Sequence, residues 1–207
     1  MSRPIQDPTS TRSRARSSPL LQSGAIMVGF VALLWCVEVV DVILPADLDQ
    51  YGVVSRDVDG LGGIVAAPLL HSGFSHLAGN SIPLLVLGVI CAIRGLRRFI
   101  AASLLIVAIS GLGVWLVGPS NTVTVGASGL IFGYFALAIG RGIFDRRALD
   151  IVLAVIVVVV YGSIMWGVLP SDPSVSWQGH LFGFIGGLVS AWFFRRKSLT
   201  YRASNGY

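Results

Sequence analysis

The stretch LDIVLAVIVVVVYGSIMWGVL, residues 149–169, holds one charged side chain, Asp150, next to its start, and shows no alternation of apolar with polar residues. A helix needs about 20 apolar residues to cross the hydrocarbon core of a bilayer. Without alternation the stretch is no strand of a membrane barrel, and a helix is the remaining spanning form. Working outward, five further apolar runs occupy residues 24–44, 74–93, 99–117, 125–140 and 179–194. The chain is therefore expected to be an all-α membrane protein, a bundle of six transmembrane helices over residues 24–196. The fourth and sixth runs are short, roughly 16 residues or about 24 Å of helix. Such lengths suit a locally thinned bilayer or a site that opens to water. Composition agrees, because 54% of the 207 residues are apolar and 12% are charged. The mean hydropathy is +0.79. Soluble domains carry about twice that charged share, so a typical soluble enzyme, a coiled coil and a disordered chain are excluded.

The polar ends orient the bundle. Residues 1–23 are rich in Ser, Arg, Pro and Thr and read as a disordered cytoplasmic tail; residues 197–207 read as a cytoplasmic tail. The net charge of +5 raises nucleic acid as a partner, but the basic residues sit between apolar blocks rather than on one patch, so none is expected. Arg3, Arg12, Arg14 and Arg16 precede the first run, Arg94, Arg97 and Arg98 follow the second, Arg141, Arg146 and Arg147 follow the fourth, and Arg195, Arg196, Lys197 and Arg202 follow the sixth. Of the 15 basic residues, Arg56 alone falls in the other links. Basic loops stay cytoplasmic. Both termini are thus expected in the cytoplasm of a multi-pass cell-membrane protein, and runs two, four and six start from the outer face. Arg195, Arg196 and Lys197 are placed to touch anionic lipid head groups. The longest connection is the first outer loop, residues 45–70, where Gly60, Gly62 and Gly63 suggest a compact turn. Cys36 and Cys91 lie inside apolar runs; they form neither a disulfide framework nor a CxxC metal site and read as packing residues.

Polar groups inside apolar runs are costly and mark function. His71 lies just before the second run, His76 about two residues into it, and Asn80 one turn further on the same face. Ser128 lies about three residues into the fourth run, inside Gly126-Ala127-Ser128-Gly129, and His180 opens the sixth, inside Gly179-His180-Leu181-Phe182-Gly183. Since these three runs share a direction, all these groups fall at one shallow depth below the outer surface. A serine hydroxyl becomes a nucleophile when a base takes its proton, and His180 is the candidate base. His76, Asn80 and the Ser128 N–H can donate to a developing oxyanion. Gly129 with Gly133, and Gly179 with Gly183 and Gly187, repeat at four-residue spacing, which lets the fourth and sixth helices approach closely. Phe132, one turn below Ser128, can then stack on the imidazole.

With these motifs in this order, the sequence resembles the rhomboid intramembrane serine proteases, in their bacterial six-helix form. The resemblance covers residues 24–196 and rests on His71-x4-His76-x3-Asn80, on Gly126-Ala127-Ser128-Gly129, and on His180 with Gly183 and Gly187. It implies a Ser128–His180 dyad without an acid, oxyanion support from His76 and Asn80, a mainly structural His71, and membrane-anchored proteins as substrates cut near the outer membrane boundary. It implies no metal and no organic cofactor. Gly88 also fits a family glycine eight residues after the asparagine. The chain departs from many members in its first outer loop, where Gly62 and Gly63 stand in place of a Trp-Arg pair.

Rival readings differ in class. A catalytically silent rhomboid-like protein would hold client helices without cutting them; loss of Ser128 or His180 would favour it, and both are present. A transporter would carry ionisable groups through the full depth of the bundle, whereas here they gather at the outer end. A zinc site on His71, His76 and His180 lacks the HExxH pattern. Asp41, near the outer end of the first run, is a possible third member beside His180.

Overall fold

The computed structural model describes residues 18–44 and 47–196. The remaining residues, which include Arg3, Arg12, Arg14, Arg16, Lys197 and Arg202 and nearly all of the two expected tails, lie outside that description. Helix α1, Pro19–Ile43, starts five residues before the expected boundary at Gly24. The cause is local: the Ser18 hydroxyl accepts from the Leu21 N–H at 3.3 Å, and Pro19 stands at the first helical position, where its missing N–H costs nothing.

The connection after α1 is built rather than loose. It holds 3-10 turns at Leu48–Tyr51 and Asp59–Gly62, then the one-turn helix α2, Gly63–Ala66, and a last turn at Ala67–Leu69. Between the first two turns, strand β1, Val53–Val54, pairs antiparallel with β2, Val123–Thr124. A methyl on Gly63 would collide with the Gly52 carbonyl, whereas one on Gly62 would meet open space. The loop is also pinned to the end of the helix Leu96–Val117. Arg56 donates to the Gly118 carbonyl at 2.8 Å, and the Trp115 indole donates to the Asp57 carbonyl at 2.7 Å. Arg56 is thereby a loop fastener.

Helix α3, Phe74–Ala92, follows Gly73 at φ 116°, and α4, Leu96–Val117, follows Gly95 at φ 122°. Both glycines occupy backbone conformations that side chains resist. Helix α5, Ser128–Phe144, begins three residues later than the expected 125, so Ser128 is its first residue instead of its third or fourth. Helix α6, Ala148–Tyr161, passes into a 3-10 segment at Gly162–Val168, and α7, Trp177–Phe193, closes the bundle. Among the described residues, four segments are long and apolar enough to cross a membrane: α1, α3, α4 and Ala148–Val168. Helices α5 and α7 have 17 residues each.

Helix α5 is the axis of the bundle. Every residue from Leu130 to Ala138 is buried, so it is apolar all round because it is covered all round. Its tightest partner is α7. A methyl on Gly183 would run into the Gly129 carbonyl, and one on Gly187 into the Gly133 carbonyl. Backbone therefore lies on backbone along the four-residue glycine rows. Gly88 serves α1 likewise, leaving room for the Met27 side chain. Helix α6 is the opposite case: only Asp150 and Val157 are buried, and Val152, Val155 and Val159 face outward. Such an apolar exterior is what lipid requires. Both cysteines are free; Cys91 is buried in the core, whereas Cys36 is exposed on α1.

Candidate active site

Helices α3, α5 and α7 begin at the same end of the bundle, and their first turns carry the polar groups. The turn before Ser128 is clamped from two sides. The Gly126 N–H donates to the Ala67 carbonyl at 2.8 Å, and the Ala127 N–H donates to His71 Nε2 at 3.3 Å. Gly126 has φ 120°, and a methyl there would lie 2.7 Å from His76 Cε1 and 3.8 Å from Asn80 Nδ2. Glycine is needed for both reasons, and its bare face is what brings His76 and Asn80 up to the start of α5.

The histidines divide their work. His71 is buried, and because its Nε2 accepts from Ala127, its ring proton sits on Nδ1, which has no partner. Burial, and then the neighbouring His76, push the His71 pKa down to about 4. The rings of His71 and His76 meet edge to face at 5.1 Å, and His76 Nδ1 lies 3.2 Å from the Ser72 hydroxyl. Asn80 is 8% exposed, and its side-chain Nδ2 is a buried donor with no acceptor.

His180 is held on three sides. Ser176 caps α7, its hydroxyl accepting from the Gly179 N–H at 3.3 Å. The Phe132 ring lies flat on the imidazole, with centroids 4.1 Å apart and planes 10° from parallel. His180 Nδ1 is 2.8 Å from the Gly167 carbonyl oxygen. A carbonyl only accepts, so the proton is on Nδ1 and Nε2 keeps its lone pair. Ser110 fastens the neighbouring residue, donating to the Gly179 carbonyl at 2.8 Å. A methyl on Gly129 would lie 3.4 Å from that same carbonyl, so the residues next to Ser128 and His180 are in contact. Among the described residues no hydrogen bond joins the Ser128 hydroxyl to the His180 ring. Ser128 lines a small cleft, with Ser176, Gly179 and Thr124 on its walls.

Asp41 does not reach this group. Its carboxylate accepts from the Leu48 N–H at 2.6 Å, and its ligand atoms lie within 4.8 Å of those of Asp47 and Asp49. Burial, and then Asp41 and Asp47, raise the Asp49 pKa. The place beside His180 that an acid would take is filled by Gly167. Sequence reasoning missed Gly167 because a backbone carbonyl leaves no mark on residue type. It also missed Ser110, a lone hydroxyl within an apolar run.

Two kinds of comparison bear on this geometry. The family model described as Rhomboid domain matches residues 60–197. An uncharacterized protein of Mycobacterium tuberculosis (strain H37Rv) is 42% identical over 198 residues, covering 92% of this chain and 81% of its own. An uncharacterized protein of Mycobacterium leprae is 40% identical over 192 residues, covering 89% and 75%. The Bacillus subtilis protein that bears the name "Putative rhomboid protease YdcA" is 27% identical over 129 residues, covering 61% and 63%. The fold and the matched motifs together define a polytopic membrane protein of rhomboid type. The chain belongs to the rhomboid family.

Proposed function

We propose that the protein is an intramembrane serine endopeptidase that cuts membrane-anchored proteins near the outer membrane boundary. The observation that carries this reading is the state of His180: stacked on Phe132, with Nδ1–H given to the Gly167 carbonyl and Nε2 bare, one residue from the backbone that touches Gly129. That is the tautomer a general base requires.

Ser128 Oγ attacks the scissile carbonyl carbon as His180 Nε2 takes its proton. The negative charge that forms on the carbonyl oxygen is met by Asn80 Nδ2, by His76 and by the Ser128 N–H at the start of α5. The unspent donor of Asn80 supports that role, since a buried N–H without an acceptor is costly until an oxyanion arrives. The imidazolium then gives its proton to the leaving amine, the C–N bond breaks, and an ester to Ser128 remains. Water, losing its proton to His180, hydrolyses the ester and restores both residues. The Gly167 carbonyl does for the Nδ1 proton what a carboxylate does in a triad, without adding a buried charge. Basic loops at the opposite end from the site favour a cytoplasmic location for both termini, with the site opening to the outer face.

The test is cleavage of a reporter transmembrane substrate by purified protein in detergent. Wild type should cut, and Ser128→Ala and His180→Ala should each abolish cleavage with the fold intact, since the two act as one unit. A fluorophosphonate probe should label wild type and spare Ser128→Ala. Wild-type-level cutting by Ser128→Ala would remove the assignment, and inert wild type would favour a client-binding protein.

A further inference from the structure

The end of the bundle away from Ser128 carries a second, shallow cleft between the end of α3, the start of α4, the α5–α6 link and the end of α7. Five arginines and two aspartates line it, a surplus of three positive charges. The arginines are not equivalent. Arg94 forms an ion pair with buried Asp150, its Nε donating at 2.8 Å, and Arg141 donates to the Cys91 carbonyl at 2.7 Å. These two are consumed in joining helices. Among the described residues, the guanidinium groups of Arg98, Arg147 and Arg196 have no partner. The second aspartate, Asp145, already accepts from the Arg196 backbone N–H at 3.0 Å and leaves most of the charge uncompensated. Three free guanidinium forks facing one cleft repel one another, and each presents paired donors of the kind that match an oxyanion two at a time.

The surroundings choose the anion. Phe194 on the cleft wall follows directly on the last turn of α7, which is apolar and outward-facing: Trp192 is 52% exposed and Phe193 66%, and Arg195 lies 4.8 Å from the centre of the Trp192 ring. A tryptophan with a cation over it is typical of the membrane–water interface. An anion seated in the cleft would thus have acyl-compatible surface directly beside it. We propose that this cleft is a binding site for the phosphate of an acidic phospholipid head group, held by Arg98, Arg147 and Arg196, with its acyl chains along the exposed ends of α6 and α7. The site stands apart from the catalytic reading and does not depend on it. It differs from a general attraction of basic loops to lipid in being confined to the arginines that share the cleft: Arg97 and Arg146 are as basic and also exposed, but do not line it.

Native mass spectrometry of the full chain in neutral detergent tests this, with phosphatidylglycerol, phosphatidylcholine and inorganic phosphate as probes and thermal unfolding as a second readout. Phosphatidylglycerol should be retained as one discrete adduct and raise the melting temperature, and phosphatidylcholine should do neither. Arg98→Gln/Arg147→Gln should weaken retention roughly 30-fold, the scale of two interfacial arginines. Arg97→Gln/Arg146→Gln, with the same loss of charge, should leave it unchanged. Equal losses in the two double variants would reduce the effect to bulk charge and overturn the site. Stabilisation by inorganic phosphate equal to that by phosphatidylglycerol would overturn the lipid as its occupant, and equal retention of the two lipids would overturn both.

Discussion

Two side chains near Ser128 are held in states that only their surroundings explain. Asn80 keeps a buried donor without an acceptor, a cost on the order of 1–3 kcal/mol in the resting protein. If that donor serves the oxyanion, Asn80→Ala should lower cleavage by roughly 10–1000-fold while leaving the melting temperature level or higher. A variant that cut normally would make Asn80 a structural residue. His71 is held neutral, with its pKa pushed down to about 4 by burial and by His76. The unfolded chain, with a histidine near 6.5, binds more protons than the folded one between these values. The neutral ring's contribution is therefore complete above about 6.5 and is lost progressively as pH falls toward 4. Protonation would also place an N–H on Nε2 against the Ala127 N–H that it now accepts, loosening the turn before Ser128. Melting temperatures measured across that pH range should fall more steeply for wild type than for His71→Gln. Parallel curves would show that His71 does not carry the pH response.

The contact between α5 and α7 is set by absence of side chains. A methyl on Gly183 meets the Gly129 carbonyl, which belongs to a helix buried on every face and has nowhere to move. Gly183→Ala should thus destabilise by about 1–3 kcal/mol and reduce cleavage, because it separates the helices that carry Ser128 and His180. Gly29→Ala on α1 meets nothing and should be neutral or slightly stabilising, alanine being the better helix former. Equal unfolding by both variants, followed by thermal denaturation in detergent, would sink the packing argument. The glycine rows were readable at four-residue spacing; the identity of the partner carbonyls was not, since spacing names a face and leaves its neighbour open.

The whole molecule separates two chemistries by its two ends. Polar side chains of catalytic type gather where α3, α5 and α7 start, and arginines gather where they finish. Under the proposed orientation the first end is outer. A cysteine placed at residue 3 should then resist labelling from outside intact cells, and client proteins should be cut near their outer boundary. Since Ser128 is the first residue of α5, the scissile bond must come to the end of the bundle rather than to its middle. A client helix hides its carbonyls in i to i−4 bonds, so residues such as Gly or Pro near its outer end should speed cleavage and their replacement by Leu should slow it. Product termini mapped by mass spectrometry to the cytoplasmic end would refute both the topology and the depth argument.

The chain by itself determined its solvent and its periodicities. Long apolar runs demand helices in lipid, the glycine rows demand close helix contact, and the order His76, Asn80, Ser128, His180 along helices of one direction puts them at one end. These are properties of residue type and spacing, which act locally and need no partner to be read. Tertiary structure alone decided what each group touches. It gave His180 a backbone carbonyl in place of an acid and tied Asp41 to Leu48 instead. It also made Arg56 a fastener of the loop between α1 and α3 and brought Arg98, Arg147 and Arg196 round one cleft. The reason is physical: a backbone carbonyl is identical in every residue and a loop arginine is free to turn many ways. Their partners are chosen only when close-packed helices fix which few atoms lie within 3 Å or so of one another.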